Sequence, residues 1–347
     1  MGIGFKFLKA FNGDSILIST DKNNILIDGG TKRSFYIYLK KEIEYLRKLD
    51  KKLDLVVLTH IDSDHIDGII EMLKYEKKLI EEGQIISPIF KEIWFNAFEK
   101  EIFSDDFSNE TSYAGYKSFR EILNSFHNIN YNDYLSIDNQ IEYFINSEIK
   151  ITLLSPNDKK LNRLHHKYQE KIEDDFYTSY SKDIDKSIEE LINLPFKKDK
   201  SEHNGASIAF ILAYKTKKYL FLADAHIYLI EESLKELGYT QKNPLKVEFI
   251  KLSHHGSKKN INQGFLDLVR SNKFIILTNG ASHGHPDKEA LSRVILNKNR
   301  DFNEKLYFIC NYETILEHHG FSDAEKKKYN FELIYKLELV EGDNNEK

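Results

Sequence analysis

The segment Thr59-His60-Ile61-Asp62-Ser63-Asp64-His65-Ile66-Asp67-Gly68 constrains this chain more than any other. Four side chains able to ligate a metal, His60, Asp62, Asp64 and His65, fall within six residues. The apolar run Leu53 to Leu58 precedes them, as expected of a strand buried on both faces, and apolar residues return at helical spacing from Ile69 to Leu79. Alternate residues of an extended loop leaving a strand point the same way, so His60 and Asp62 can share one ion. Asp64 and His65, at the helix start, can turn toward a second. Imidazole and carboxylate donors suit Zn²⁺, Mn²⁺ or Fe, and bridging carboxylates suit a pair of ions. The plainer alternative is that these aspartates cap the following helix. Acids rarely crowd this closely without a cation, so capping alone is the weaker reading.

Composition narrows the donor set. Cys310 is the one cysteine in 347 residues, which excludes an intrachain disulfide, a CxxC redox pair and a multi-cysteine zinc site. Any metal must be held by the 13 histidines and the carboxylates. The 41% hydrophobic content excludes a disordered chain. A formal net charge of −5 argues against attachment to nucleic acid by bulk charge, while leaving room for a local basic groove. No apolar run reaches the length of a membrane span, and Met1 to Ala10 alternates like a strand rather than a signal peptide. The expectation is a cytoplasmic protein with no membrane contact.

Along the chain, Ile3 to Leu8, Ser15 to Ser19 and Asn24 to Ile27 read as strands, with Asn12-Gly13 as a hairpin signal between the first two. Phe35, Leu39, Ile43 and Leu46 predict a helix. Ile93 to Phe95 and Ile149 to Leu154 read as strands on either side of a Tyr/Phe/Asn-rich stretch. Its aromatics (Trp94, Phe95, Phe98, Phe103, Phe107, Tyr113, Tyr116) read as core before base-stacking platform. Residues 156–202 are densely charged and partly helical in spacing. Strands are expected at Ile208 to Tyr214, Tyr219 to Ala223, Val247 to Leu252, Phe274 to Thr278, Leu306 to Cys310 and Phe331 to Leu339. Helices are expected at Ile227 to Leu237, Phe265 to Arg270 and Lys288 to Leu296. Strand and helix alternate, as in a layered α/β architecture. With no repeat and no linker, the expectation is one domain over 1–340, carrying insertions at about 83–150 and 156–202. A disordered acidic tail is expected at 341–347.

Further ligand-type residues stand where α/β sheets build sites. Asp224 follows the apolar run Tyr219 to Ala223, and His254 and His255 follow Val247 to Leu252. His203 lies four residues before Ser207. Alone, each has a plain structural reading as a cap or a surface group.

Together with Asn12-Gly13-Asp14-Ser15, Ile25-Leu26-Ile27-Asp28-Gly29-Gly30, Leu222-Ala223-Asp224, Lys251-Leu252-Ser253-His254-His255-Gly256-Ser257 and Gly284-His285-Pro286, these residues carry a resemblance. The chain resembles metallo-β-lactamase-fold hydrolases, and is most similar among them to the ComEC-like (competence DNA-uptake) hydrolase subgroup. The resemblance implies an αββα four-layer sandwich, here enlarged by helical and aromatic insertions. It implies two divalent ions, Zn²⁺ or Mn²⁺: His60, Asp62 and His203 on one, Asp64, His65 and His254 on the other, and Asp224 bridging. Asp62 replaces the histidine of the superfamily's usual His-x-His-x-Asp-His, which adds negative charge and favours harder ions such as Mn²⁺.

The implied activity is that of a phosphodiesterase or nuclease in which a metal-bridging hydroxide attacks phosphorus. Asp64, His255 and His285 are the candidate catalytic residues, with Asp28 and Asp67 supporting the ligands. Ser257 and Lys258 are candidates for substrate phosphate, through amides at a helix start. The expected substrate is nucleic acid or a nucleotide. Two alternatives stand beside it, since fold does not fix function. One is hydrolysis of another ester, lactone or thioester. The other is a partner-binding subunit of a defence or stress complex, docking protein through the insertions.

Overall fold

The computed structural model of this protein describes residues 2–96, 111–170, 183–281 and 284–341. Phe98, Phe103 and Phe107 and the tail 342–347 lie outside them. The described chain divides into two compact units, Met1–Leu135 with Lys336–Lys347, and Ser136–Tyr335.

The first unit is built on a seven-stranded sheet. β1 (Ile3–Phe7), β2 (Ile16–Ser19) and β3 (Asn24–Ile27) form an antiparallel meander around the Asn12-Gly13 turn. β4 (Leu55–Val57), β5 (Glu92–Trp94) and β6 (Asn130–Asn132) then add in parallel. Every residue of β3 and β4 is buried, as continuous Ile/Leu/Val runs require in the middle of a covered sheet. The chain's last strand, β17 (Glu338–Glu341), closes the other edge on β1.

Between β3 and β4 the chain is helical through α1 (Lys32–Ser34), a π-helical stretch (Phe35–Leu39) and α2 (Lys40–Lys48). The predicted stripe Phe35, Leu39, Ile43 and Leu46 is buried throughout. α3 (Ser63–Glu81) follows β4, and Arg47 of α2 reaches the fully buried Glu76 of α3 at 2.6 Å.

α4 (Thr111–Leu123) was not legible as a helix, because aromatic side chains hide its period. Tyr113, Tyr116, Phe119 and Leu123 form its buried face, and a Cβ at Gly115 would lie 3.6 Å from the Ile66 side chain of α3. Trp94, Phe95, Tyr113 and Tyr116 are all core residues.

The second unit carries an eight-stranded sheet. β7 (Glu142–Phe144), β8 (Ile149–Ser155), β9 (Ala209–Tyr214) and β10 (Lys217–Phe221) pair antiparallel. β12 (Ile250–Lys251), β14 (Lys273–Ile276), β15 (Leu306–Cys310) and β16 (Phe331–Tyr335) continue it in parallel. The charged stretch after β8 contains α5 (Asp158–Glu170), α6 (Ile188–Ile192) and α7 (Glu202–Gly205). α8 (Ile227–Glu236) and α10 (Lys288–Ile295) pack into the unit's core through Ile227, Ile230, Leu291 and Val294. α11 (Thr314–His318) and α12 (Asp323–Lys328) are short.

Four expectations are corrected. The helix after Asn262 stops as α9 (Gln263–Leu266), because Val269 and Arg270 form β13, paired with β11 (Leu245–Lys246). The strand expected from Val247 is correspondingly shortened to Ile250–Lys251. The apolar stretch Phe331 to Leu339 is two strands in two sheets, and Glu341 belongs to β17 rather than to a tail. His319 is half-buried against Phe321, and burial pushes its imidazole down to about 4.

The α/β class expected from the sequence is the class observed. Among the described residues no helix is long and apolar enough to cross a membrane. Each sheet switches from antiparallel to parallel pairing at one strand, β3 in the first and β10 in the second. Asp28, His60 to His65, Asp224, His254 and His255 follow the carboxyl ends of these strands and of their parallel neighbours, whereas His203, on α7, precedes β9.

Candidate metal centre

In the first unit the cluster is organised by Asp28, which follows β3 and is fully buried. Its backbone is left-handed (φ 55°), an uncommon state that short polar residues tolerate best. The carboxylate accepts the Thr59 amide (2.8 Å) and the Thr59 hydroxyl (2.7 Å), and lies 2.8 Å from His65 Nδ1. Because the Thr59 hydrogen goes to Asp28, its oxygen accepts from His60 Nδ1 at 3.1 Å. One carboxylate thus sets both rings as Nδ1–H tautomers, and the lone pair of each stands at Nε2.

His60 Nε2 is 3.6 Å from Asp62 Oδ2 and His65 Nε2 is 4.0 Å from Asp64 Oδ1, with ring centroids 4.1 Å apart. Asp62 occupies the N-cap position of α3, yet its side chain makes no capping hydrogen bond. Capping alone does not explain it. Asn12 Nδ2 holds the far side of Asp64 at 2.9 Å, and Asp14 joins Asp28 and His65 with donor atoms within 4.8 Å of one another. Asp67 is half-buried; burial and then the charges of Glu71 and Asp64 push its carboxyl up.

The backbone around these residues is closely packed. A Cβ at Gly13 would sit 1.7 Å from the Asp64 carbonyl oxygen, and one at Gly68 would sit 1.9 Å from that of Gly29. Gly68 N–H donates to Gly30 O, and Gly29 N–H to His65 O. The glycines of three sequence motifs therefore mark where the loops cross.

In the second unit the cluster centres on Asp224, buried after β10 and the left-handed Ala223 (φ 44°). The buried Lys251 ammonium lies 3.9 Å from Asp224 Oδ1 and donates to Ala223 O. His254 and His255 are both left-handed (φ 47° and 55°) within a short turn, Ser253–Gly256, after β12. The His254 amide donates to Ala223 O, and the Ser253 hydroxyl to Ala225 O.

This turn brings both rings to Asp224 Oδ2, with His254 Nε2 at 3.8 Å and His255 Nε2 at 3.9 Å. His255 Nδ1 donates to Leu277 O at 2.7 Å. His254 Nδ1 faces Asp199 Oδ2 at 3.6 Å, with the Asn204 amide 3.4 Å away. Burial opposes charge on Asp199. The hydrogen bond and charge of His254, then His226 and Asn204, outweigh it and hold the carboxyl well below the usual range. Burial pushes His226 down to about 4, so this ring is neutral near pH 7.

The remaining predicted residues are placed as follows. His203 is buried on the short helix α7, next to Asn204. His285 lies with its ring 5.1 Å from that of His254 and its Nδ1 3.3 Å from Asp287 Oδ2. Burial lowers its pKa against the pull of Asp287. No helix starts at Ser257, which corrects the expected phosphate cradle. Ser257 is buried with its hydroxyl accepting the Lys259 amide, and the Lys258 amide donates to Asp287 Oδ2.

Comparison with known proteins bears on the first unit. Residues 8–131, which hold the whole first cluster, match the sequence profile of the metallo-beta-lactamase superfamily. This stretch carries that superfamily's pattern. The chain is also 34% identical over 101 residues to microtubule-associated protein 1A of Homo sapiens, and 33% to that of Rattus norvegicus. Each match covers 25% of this chain and 3% of the relative, so the chain spans only a small part of the length of the curated proteins it matches.

Among solved structures it is similar to the metallo-beta-lactamase fold protein YhfI of Bacillus subtilis, at 10% identity and TM-score 0.46, over 98% of this chain and 100% of that one. Human tRNase Z, short form, matches at 11% identity and TM-score 0.38, over 80% and 92%. Zn(2+)-bound PqqB of Methylobacterium extorquens matches at 10% and 0.40, over 94% and 86%. With TM-scores below 0.5 these are likenesses only.

The histidine-and-aspartate run was legible in this sequence; several groups that orient the two clusters were not. Thr59, Asp199, Asn204, Asn260, Lys251 and Asp287 each lie against a predicted residue (His60, His254, His254, Asp224, Asp224 and His285), yet none stands in ligand spacing. Asn12, Asp14 and Lys251 did lie inside the motifs that carried the resemblance. All the ligand-type side chains are nitrogen or oxygen donors, which fits Zn²⁺, Mn²⁺ or Fe.

Proposed function

We propose that this chain is a metal-dependent hydrolase of phosphodiesters, a nuclease or nucleotide phosphodiesterase of the ComEC-like kind. The observation that carries this reading is the setting of the imidazoles. In His60, His65, His254 and His255, Nδ1 is turned to an oxygen of the protein and Nε2 toward a carboxylate. Imidazoles fixed in this way are preorganised as ligands.

The proposed metal ligands are His60, Asp62, Asp64 and His65 in the first unit and His203, Asp224 and His254 in the second. When bound, divalent ions lower the pKa of water and neutralise charge on substrate oxygens. The protein's own contribution is orientation. Asp28 fixes two rings, Asn12 fixes Asp64, and the buried Lys251 balances part of the charge on Asp224. His255 and His285 are proposed to contact substrate. His285 is proposed to contact the transition state or to protonate the leaving group.

Purified protein supplied with Mn²⁺ or Zn²⁺ is expected to cleave bis(p-nitrophenyl) phosphate and at least one of single-stranded DNA, RNA or a cyclic nucleotide. Turnover of lactones or thioesters with none of these phosphodiesters would replace this reading by the second hydrolase class.

A further inference from the structure

Asp199 belongs to none of the sequence motifs, yet it is the buried hub of the second cluster. It lies in the charged stretch ahead of α7, 8% exposed, and its amide donates to Lys259 O. Oδ1 accepts the Ser201 amide at 2.9 Å. Oδ2 accepts Asn204 Nδ2 at 2.8 Å and Asn260 Nδ2 at 3.1 Å, and the same oxygen faces His254 Nδ1 at 3.6 Å. Asn260 is fully buried, and its amide also lies 3.4 Å from the carbonyls of Asp224 and Ala225. One buried carboxylate is therefore tied to the loop that carries Asp224 and directed at the ring that faces Asp224. A charge so buried persists only where donors surround it.

Two neighbours compete for His254 Nδ1. The Asn204 amide, 3.4 Å away, would favour a lone pair on Nδ1, whereas Asp199 favours a proton there. The contest goes to the carboxylate, because charge-assisted hydrogen bonds are roughly twice as strong as neutral ones. Asn204 also makes its shorter contact with Asp199 itself. We infer that Asp199 is the positioning residue of His254, keeping the proton on Nδ1 so that Nε2 presents its lone pair beside Asp224. This rests on the reading of His254 as a metal ligand. It assigns the charged stretch before α7 a part in building the site, in addition to any docking role.

Two measurements test it. In the metal-free protein labelled with ¹⁵N-histidine, a long-range ¹H–¹⁵N spectrum near pH 8, assigned with His254→Gln, is expected to show His254 as the Nδ1–H tautomer. An Nε2–H tautomer would overturn the inference, and this readout needs no Asp199 variant to fold. By titration calorimetry with Mn²⁺, Asp199→Asn is expected to bind 10–100-fold more weakly than the parent, the usual range for loss of such a partner. In a His254→Ala background it is expected to cause no further loss. Unchanged affinity, or the same loss in both backgrounds, would mark Asp199 as merely structural. A parent protein that binds neither Mn²⁺ nor Zn²⁺ would contradict the proposed function instead, and the tautomer would still decide the role of Asp199.

Discussion

Asp28, Ala223, His254 and His255 share a backbone state that few residues with side chains adopt, and all four stand in or beside the two clusters. A left-handed non-glycine residue is unfavourable by the order of 1 kcal/mol, and such residues concentrate at functional sites. Asp28 makes the clearest test, because asparagine tolerates the same backbone and keeps one acceptor while losing the charge. Asp28→Asn is expected to lower stability by only about 1–2 kcal/mol in urea unfolding, the scale of one weakened buried hydrogen bond. Its Mn²⁺ affinity is expected to fall 10–100-fold, as His60 and His65 lose their common tautomer anchor. A large stability loss with unchanged affinity would make Asp28 a structural turn residue. At this scale the sequence displayed the ligand-type residues because they crowd; it did not display their orienting partners. Thr59, Asp199 and Asn260 are ordinary residue types at ordinary spacings, and only the fold brings them to a ring nitrogen or a carboxylate.

At the scale of elements, legibility followed period and length. β3 and the stripe Phe35, Leu39, Ile43 and Leu46 formed as read, and of the apolar run Leu53 to Leu58 the part Leu55–Val57 forms β4. Two-residue strands such as β11 and β13 have no period to detect, and their pairing is set by the surrounding unit. The insertion-like stretch at 111–123 concealed a helix whose buried face is largely aromatic. The crossing of α3 over the loop after β3 depends on Gly29 and Gly68 meeting backbone to backbone. Gly68→Ala places a methyl 1.9 Å from the Gly29 carbonyl oxygen, where no flexible side chain can yield. The expected destabilisation lies at or above the top of the roughly 1–3 kcal/mol typical of overpacking, despite alanine's better helix propensity. A urea midpoint unchanged from the parent would show that this crossing is looser than described.

At the scale of the whole molecule, two units each present a cluster from the carboxyl ends of strands at the switch from antiparallel to parallel pairing, where α/β sheets build sites. The superfamily profile covers the first cluster and stops at residue 131, so the second rests on the motifs and on its own geometry. The −5 net charge argues against attachment to duplex by bulk charge. Metal analysis of the purified protein, paired with phosphodiester turnover in the parent, Asp64→Ala and Asp224→Ala, tests the central claim most directly. The account predicts divalent metal in the parent, a reduced metal content in both variants, and turnover lowered by at least about 100-fold, since each variant removes a proposed ligand. A parent without divalent metal, or variants that keep full turnover, would contradict it.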